Sequence, residues 1–465
     1  MDQITPKTIK QFKVVGTRPL RPDGIEKVTG KAIYGADLSA PNMLYGLLLR
    51  INEPHALIET IDTSIAEKIP GVKSIITFKD FIKINPDNKN NETLENCIAN
   101  EKVLYDGHAV AAVAAVNLNI AKKALKSINV KFKKLPFVIN IEDAMKKDAP
   151  LVAKGKKNEN IPDGFSKNVV QYCSFGHGNI EQGFNESDKV IKRTFKTPSV
   201  HQGYIEPHAC LASMSDDGKA DLWCCTQGHY NVRSICSNIF KIDNSQLKVT
   251  ASEIGGGFGG KTTVFIEPIA LALSQKSGRP VKIVMSREEV FKATGPTVSS
   301  LVDVKIGMKK NGKISAAKAI IRYEGGAFPN ETYELGAQSA FAAYNLKSVK
   351  TEAYNILTNR PAQAAYRAPG APQAIYAVES VIDELCQHFN HDPLYVRILN
   401  AADKGTKSSY GPTFEDIGLK ATLEAAKVHS HYTSPLKDNQ GRGISCGFWF
   451  NFGGNTCVSL NINFD

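Results

Sequence analysis

At 465 residues, of which 42% are hydrophobic and 22% charged, the chain has the length for about two to four domains with buried cores. That balance excludes wholesale disorder, collagen-like repetition and a miniprotein held by staples. Basic residues exceed acidic ones by 57 to 46, a net charge of +11. The lysines nevertheless fall in short scattered clusters such as Lys131–Lys134 and Lys154–Lys157, which read as solvated surface and not as a nucleic-acid groove.

The longest apolar run, Ala109–Val116, is too short to span a bilayer, and the N-terminus MDQITPKTIKQFK lacks an apolar signal core, so a cytoplasmic protein is expected. None of the nine cysteines forms a C-x-x-C pair or a ferredoxin-type array, and Cys224 and Cys225 are adjacent. They read as reduced, mostly buried thiols.

In chain order, the composition predicts a polar surface loop at Asn85–Asn91, a continuous strand at Ala109–Val116, a helix at Leu118–Ser127 and an alternating strand at Ile128–Phe132, the last three as a β-α-β unit. This first domain covers 1–150. A linker follows at 151–164, where Lys154–Asn160 precede Pro162, Asp163 and Gly164, and a second domain covers 165–465. Strands are expected at Lys189–Phe195, Gln246–Thr250, Val281–Met285, Val302–Ile306 and Ala319–Tyr323, with helices at Phe265–Gln275 and Gln373–Phe389. Strand-like alternation over Cys457–Asp465, with no turn or cap after it, leads to the expectation that the chain is cut short.

The most informative segment is QLKVTASEIGGGFGGKTTVFIEPIALALSQ, a strand, a glycine cluster and a helix over Gln246–Gln275. Gly255–Thr262 satisfies G-x-x-x-x-G-K-[ST], the phosphate loop of an NTPase. Against that reading stand Pro268 early in the following helix, the position of the loop far into the chain, and the lack of a later apolar strand ending in Asp. The other reading keeps the close backbone approach that glycines permit, with the helix N-terminus offering free N–H donors to a different large ligand.

Gly255–Lys261 (GGGFGGK) and Ala365–Gln373 (AYRAPGAPQ) closely resemble two signature segments of the molybdenum hydroxylase family, the molybdopterin-binding large subunits of xanthine dehydrogenases and aldehyde oxidases. Val28–Asp37, Asp106–Ala114, Tyr204–Ala212 and Thr226–Gln227 resemble further family segments in the expected order. The resemblance implies an α+β chain, with an N-terminal α/β hammerhead domain followed by the first part of a molybdopterin-binding α+β domain, incomplete at its C-terminus. The implied cofactor is Mo-molybdopterin, in its simple or cytosine dinucleotide form, with the metal held by the pterin dithiolene and by no protein ligand.

By the same resemblance, Gln227 offers a neutral N–H donor near the metal oxygens, and Gly257, Phe258, Gly259 and Gly260 form the loop beneath the metal. Arg367 sits by the anionic cofactor through its guanidinium or the backbone after it. The implied reaction is molybdenum-dependent oxidation of a carbon centre with water-derived oxygen. The catalytic glutamate is expected beyond Asp465; Glu206, Glu253 and Glu267 lie near these segments, but none matches its place. With no cluster or flavin motif here, a 2Fe-2S subunit and an FAD subunit are the expected partners in a hetero-oligomer. Thr262 stands where purine-oxidising members carry an acid, Pro369 where they carry an aromatic ring, and Tyr333–Tyr344 lacks their arginine. An aldehyde or an aromatic or N-heterocyclic compound is therefore the expected substrate, and xanthine is not. The alternatives are a non-catalytic truncated remnant, half of a split subunit or, more remotely, the phosphate-loop NTPase.

Overall fold

The computed structural model describes residues 13–14, 16–153, 161–450, 460 and 462. The strand expected over Cys457–Asp465 lies outside the described residues, apart from Leu460 and Ile462.

Among the described residues, fifteen strands form three sheets. The first six are β1 (Leu44–Ile51), β2 (Ala56–Asp62), β3 (Val72–Thr77), β4 (Lys102–Val103), β5 (His108–Ala115) and β6 (Asn129–Lys134). They are followed by β7 (Val169–His177), β8 (Lys189–Thr197), β9 (Ala209–Met214), β10 (Ala220–Cys224), β11 (Leu247–Ala251) and β12 (Val281–Val284). The last three are β13 (Ser300–Met308), β14 (Ile314–Gly326) and β15 (Val349–Leu357).

The continuous apolar run of β5 is buried along its whole length because it lies inside a sheet, antiparallel to β1 on one side and β3 on the other. That seven-stranded sheet runs β11-β10-β9-β12-β1-β5-β3. It therefore joins strands from before residue 150 to strands from after residue 200, and one core carries Leu44 and Leu48 together with Cys210 and Ile283. A five-stranded sheet, β7-β15-β14-β13-β8, carries the Thr332–Ser339 and Ala371–Phe389 helices over a second core that includes Val302, Ile321, Val381 and Leu385. The third sheet is β4-β2-β6.

Two local expectations are corrected. The strand, helix and strand over 109–132 form, but β6 pairs with β2 in the small sheet while β5 stays in the large one, so they are not a β-α-β unit of one sheet. The polar stretch Asn85–Asn91 holds a 3-10 turn at Pro86–Asn90, and its amides reach inward: Asn88 Nδ2 donates to the carbonyls of Phe81 and Ile239, and both Asn85 and Asn88 are buried. Composition marked the stretch as polar, but not that its side chains satisfy buried carbonyls. All eight described cysteines are free thiols, and all but Cys173 are buried. Among the described residues no helix is long and apolar enough to cross a membrane.

Candidate cofactor site

β10 and β11 run parallel, so the segments leaving their carboxyl ends, Gln227 and the glycine loop, emerge side by side. β14 and β15 are likewise parallel, and the chain leaving β15 runs through Ala365–Gly370 into the Ala371–Phe389 helix. The two sheets thus deliver the two signature segments to one place.

The loop is folded tightly on itself and on Gln227. Gly260 N–H donates to the Gly257 carbonyl at 2.8 Å, and Gln227 Oε1 accepts from the Gly259 N–H at 2.8 Å and more loosely from Lys261 N–H at 3.4 Å. A Cβ on Gly257 would stand 2.4 Å from Gln227 Oε1, so only glycine admits that amide. Gln227 is itself exposed, with its oxygen engaged by the loop. Phe258 sits at the apex with φ +54° and 48% exposure, a strained left-handed conformation for a non-glycine residue.

The second wall touches the first. Arg367 N–H donates to the Phe258 carbonyl at 2.9 Å, the Tyr366 ring lies edge-on to Phe258 at 6.3 Å, and a Cβ on Gly259 would meet the Ala365 carbonyl oxygen at 2.9 Å. Arg367 and Ala368 also hold positive φ, +30° and +63°. The Arg367 side chain is exposed and has no ion-pair partner among the described residues. Beside it opens a mostly apolar cleft of about 410 Å3, with Tyr366, Arg367 and Gln373 facing Thr197, Val200 and Thr297. Thr262 is exposed and donates from Oγ1 to the Gly259 carbonyl, and Pro369 is half-buried just before the long helix. Of the eight site residues expected from sequence, six lie on these two segments, Thr262 directly follows the first, and Gln227 is bonded to the glycine loop.

Gln202 and Tyr204 were not anticipated. Gln202 Nε2 donates to the carbonyls of Gly295 and Ala365, its amide lies under Gly260, and its Oε1 is buried without a partner. Tyr204 packs under Gly256, while its hydroxyl pairs with His208 Nε2 at 2.8 Å. Burial pushes Tyr204 up to about 12. Burial, reinforced by the Lys261 charge, holds His208 down to about 3. The only sequence signal for this layer was the Tyr204–Ala212 segment, which named neighbours but no contacts.

The phosphate-loop reading fails on geometry. The Lys261 ammonium is fully buried and bonded to Glu206 Oε2 at 2.7 Å, facing away from any phosphate the loop would hold. The helix expected from Phe265 begins at Glu267, with Pro268 in its first turn. Its N-terminus is also closed: the buried Glu267 carboxylate accepts from the N–H groups of Phe265 and Ile266, and burial raises its pKa. Glu253, the third carboxylate of the region, pairs with Lys27 at 2.6 Å.

A loop that excludes side chains, a strained exposed aromatic and an arginine without an ion-pair partner among the described residues thus lie together on one exposed surface. The model of the molybdopterin cofactor-binding domain matches residues 161–401. That of the aldehyde oxidase and xanthine dehydrogenase a/b hammerhead domain matches residues 29–136. The chain belongs to the family of molybdopterin-binding large subunits of xanthine dehydrogenases and aldehyde oxidases.

Among its relatives, a probable xanthine dehydrogenase subunit from Bacillus subtilis (strain 168) is 33% identical over 82% of this chain and 50% of its own length. The nicotinate dehydrogenase large molybdopterin subunit of Eubacterium barkeri is 28% identical over 90% of this chain and 96% of its own. The solved aldehyde oxidoreductase of Desulfovibrio gigas is similar with a TM-score of 0.78 and 27% identity, over 88% of this chain and 45% of that one. The chain therefore spans about half the length of the Bacillus and Desulfovibrio proteins and nearly all of the Eubacterium subunit.

Proposed function

We propose that this chain forms one side of the Mo-molybdopterin site of a cytoplasmic oxidoreductase that oxidises an aldehyde or an aromatic or N-heterocyclic substrate with water-derived oxygen. One observation carries the reading: the Arg367 N–H bonded to the Phe258 carbonyl joins both signature segments into one wall. Bound against that wall, in simple or cytosine dinucleotide form, the cofactor supplies two-electron redox chemistry at molybdenum.

The chain's own residues bind and orient. Gln227 directs its NH2 as a neutral donor at developing charge, the Gly257–Gly259 backbone allows close approach, and Phe258 keeps water from one side. Arg367 supplies a fixed cation for the anionic cofactor. Among the described residues Glu206, Glu253 and Glu267 are already engaged, so the proton-accepting glutamate is supplied from outside them. The electrons taken up by the cofactor would pass to 2Fe-2S and FAD centres held by partner subunits. The absence of an acid at Thr262 and of a ring at Pro369 favours a substrate other than a purine.

Metal and pterin analysis of the protein, purified from a host that makes the cofactor, tests this reading. Molybdenum and pterin are expected to co-purify, together with any companion polypeptide. Their absence from the assembled complex contradicts it.

A further inference from the structure

Glu206 and Lys261 form a buried ion pair that the reaction as proposed does not use. One carboxylate oxygen, Glu206 Oε2, accepts from the Gly255 N–H at 2.8 Å and from Lys261 Nζ at 2.7 Å, so a single atom holds the first and the last residue of the glycine loop. The other oxygen accepts from the Gly35 N–H at 3.1 Å, which ties in the segment before β1. Lys261 Nζ also donates to the Glu206 carbonyl at 3.1 Å and lies 4.8 Å above the Tyr204 ring. The backbone of Lys261 faces the other way: its carbonyl accepts from Gln227 N–H at 2.8 Å and from Thr226 Oγ1 at 3.0 Å.

We infer that Glu206 and Lys261 are positioning residues, a clamp that closes the 255–261 loop at its base and thereby sets both the apex at Phe258 and the orientation of the Gln227 amide. Fixing both ends of a seven-residue loop on one atom removes the freedom by which Gly256, Gly257 and Gly259 would let the apex drift. An ion pair serving stability alone would need only its two charges. Here the acceptor capacity of Glu206 toward backbone N–H groups is part of the device, so exchanging the two charges does not restore it.

The inference rests on the reading of the loop as a cofactor wall, and two readouts separate them. Amide hydrogen exchange on the full chain, followed in peptides covering 255–261, reads the clamp with no cofactor required. Molybdenum content reads the wall. In Lys261→Met and Glu206→Gln, exchange over 255–261 is expected to rise about tenfold or more while peptides from β13 and β14 keep their protection. Molybdenum per chain is expected to fall in parallel, and the double exchange Glu206→Lys with Lys261→Glu fails to recover either. Arg397→Met, which breaks an equally buried pair elsewhere, leaves exchange at 255–261 unchanged. Wild-type exchange at the loop in Lys261→Met and Glu206→Gln, or recovery in the charge exchange, overturns the clamp. A wild-type protein without molybdenum overturns the cofactor wall and leaves the exchange result to decide the clamp.

Discussion

The chain buries two ion pairs to the same depth and uses them differently. In both, the cation side chain is 0% exposed and its glutamate partner 6% exposed: Lys261 with Glu206 and Arg397 with Glu379. Arg397 grips Glu379, Asp383 and the Pro393 carbonyl, and Glu379 takes in addition the Tyr344 hydroxyl and the Cys446 N–H. Its partners lie on two helices, Ala371–Phe389 and Pro393–Asn400, and on the chain near residue 446, so it locks regular elements against each other. The partners of the Glu206 carboxylate are the backbone N–H groups of Gly35 and Gly255 and the ammonium of Lys261. Equal burial thus says nothing about role; what the charges hold does.

The sharpest way to break this comparison is to remove each cation. Arg397→Met leaves Glu379 and Asp383 without their counter-ion and is expected to cost about 3–5 kcal/mol, read as a fall in the urea midpoint, while the site keeps its shape. At the glycine loop, Gly259→Ala asks for a side chain at φ +99° against the Ala365 backbone. It is expected to cost about 2 kcal/mol and to remove cofactor retention, since the two walls must part.

Next comes pH. Burial holds both His208 and His108 down to about 3, below the ordinary histidine value. The unfolded chain therefore binds more protons than the folded one below about 6.5. The stability they confer is complete above that value and is lost as pH falls toward 3, by about 2 kcal/mol per histidine between pH 7 and 5. His208→Gln should flatten that slope, measured by urea titrations at the two values; an unchanged slope would contradict the neutral buried state.

The smallest effect on stability belongs to Gln227→Ala. It loses one good loop hydrogen bond at an exposed position, about 0.5–1 kcal/mol, yet should lower turnover of the loaded enzyme about 10–100-fold with metal content retained.

What the sequence made legible follows from distance along the chain. The β5 run, the Leu118–Ser127 helix and the long helix, expected from Gln373 and observed from Ala371, were readable because apolar spacing is a local signal. The pairing of β6 with β2 instead of a neighbour of β5 was not, because pairing is a non-local choice. The glycine loop, Gln227 and Arg367 were found by motif, and the geometry brings them together. The direction of Lys261 was hidden: a lysine after two glycines reads as a phosphate ligand until Glu206, 55 positions earlier, is seen against it. The late helix start was hidden by Glu267, whose side chain closes the N-terminus that the glycines were expected to leave open.

The most direct test of the shared wall compares amide exchange in cofactor-loaded and cofactor-stripped protein. The account predicts added protection in 255–261 and in 365–370 together, with the Pro393–Asn400 helix unchanged. Protection of only one of the two segments, or of neither, would contradict it.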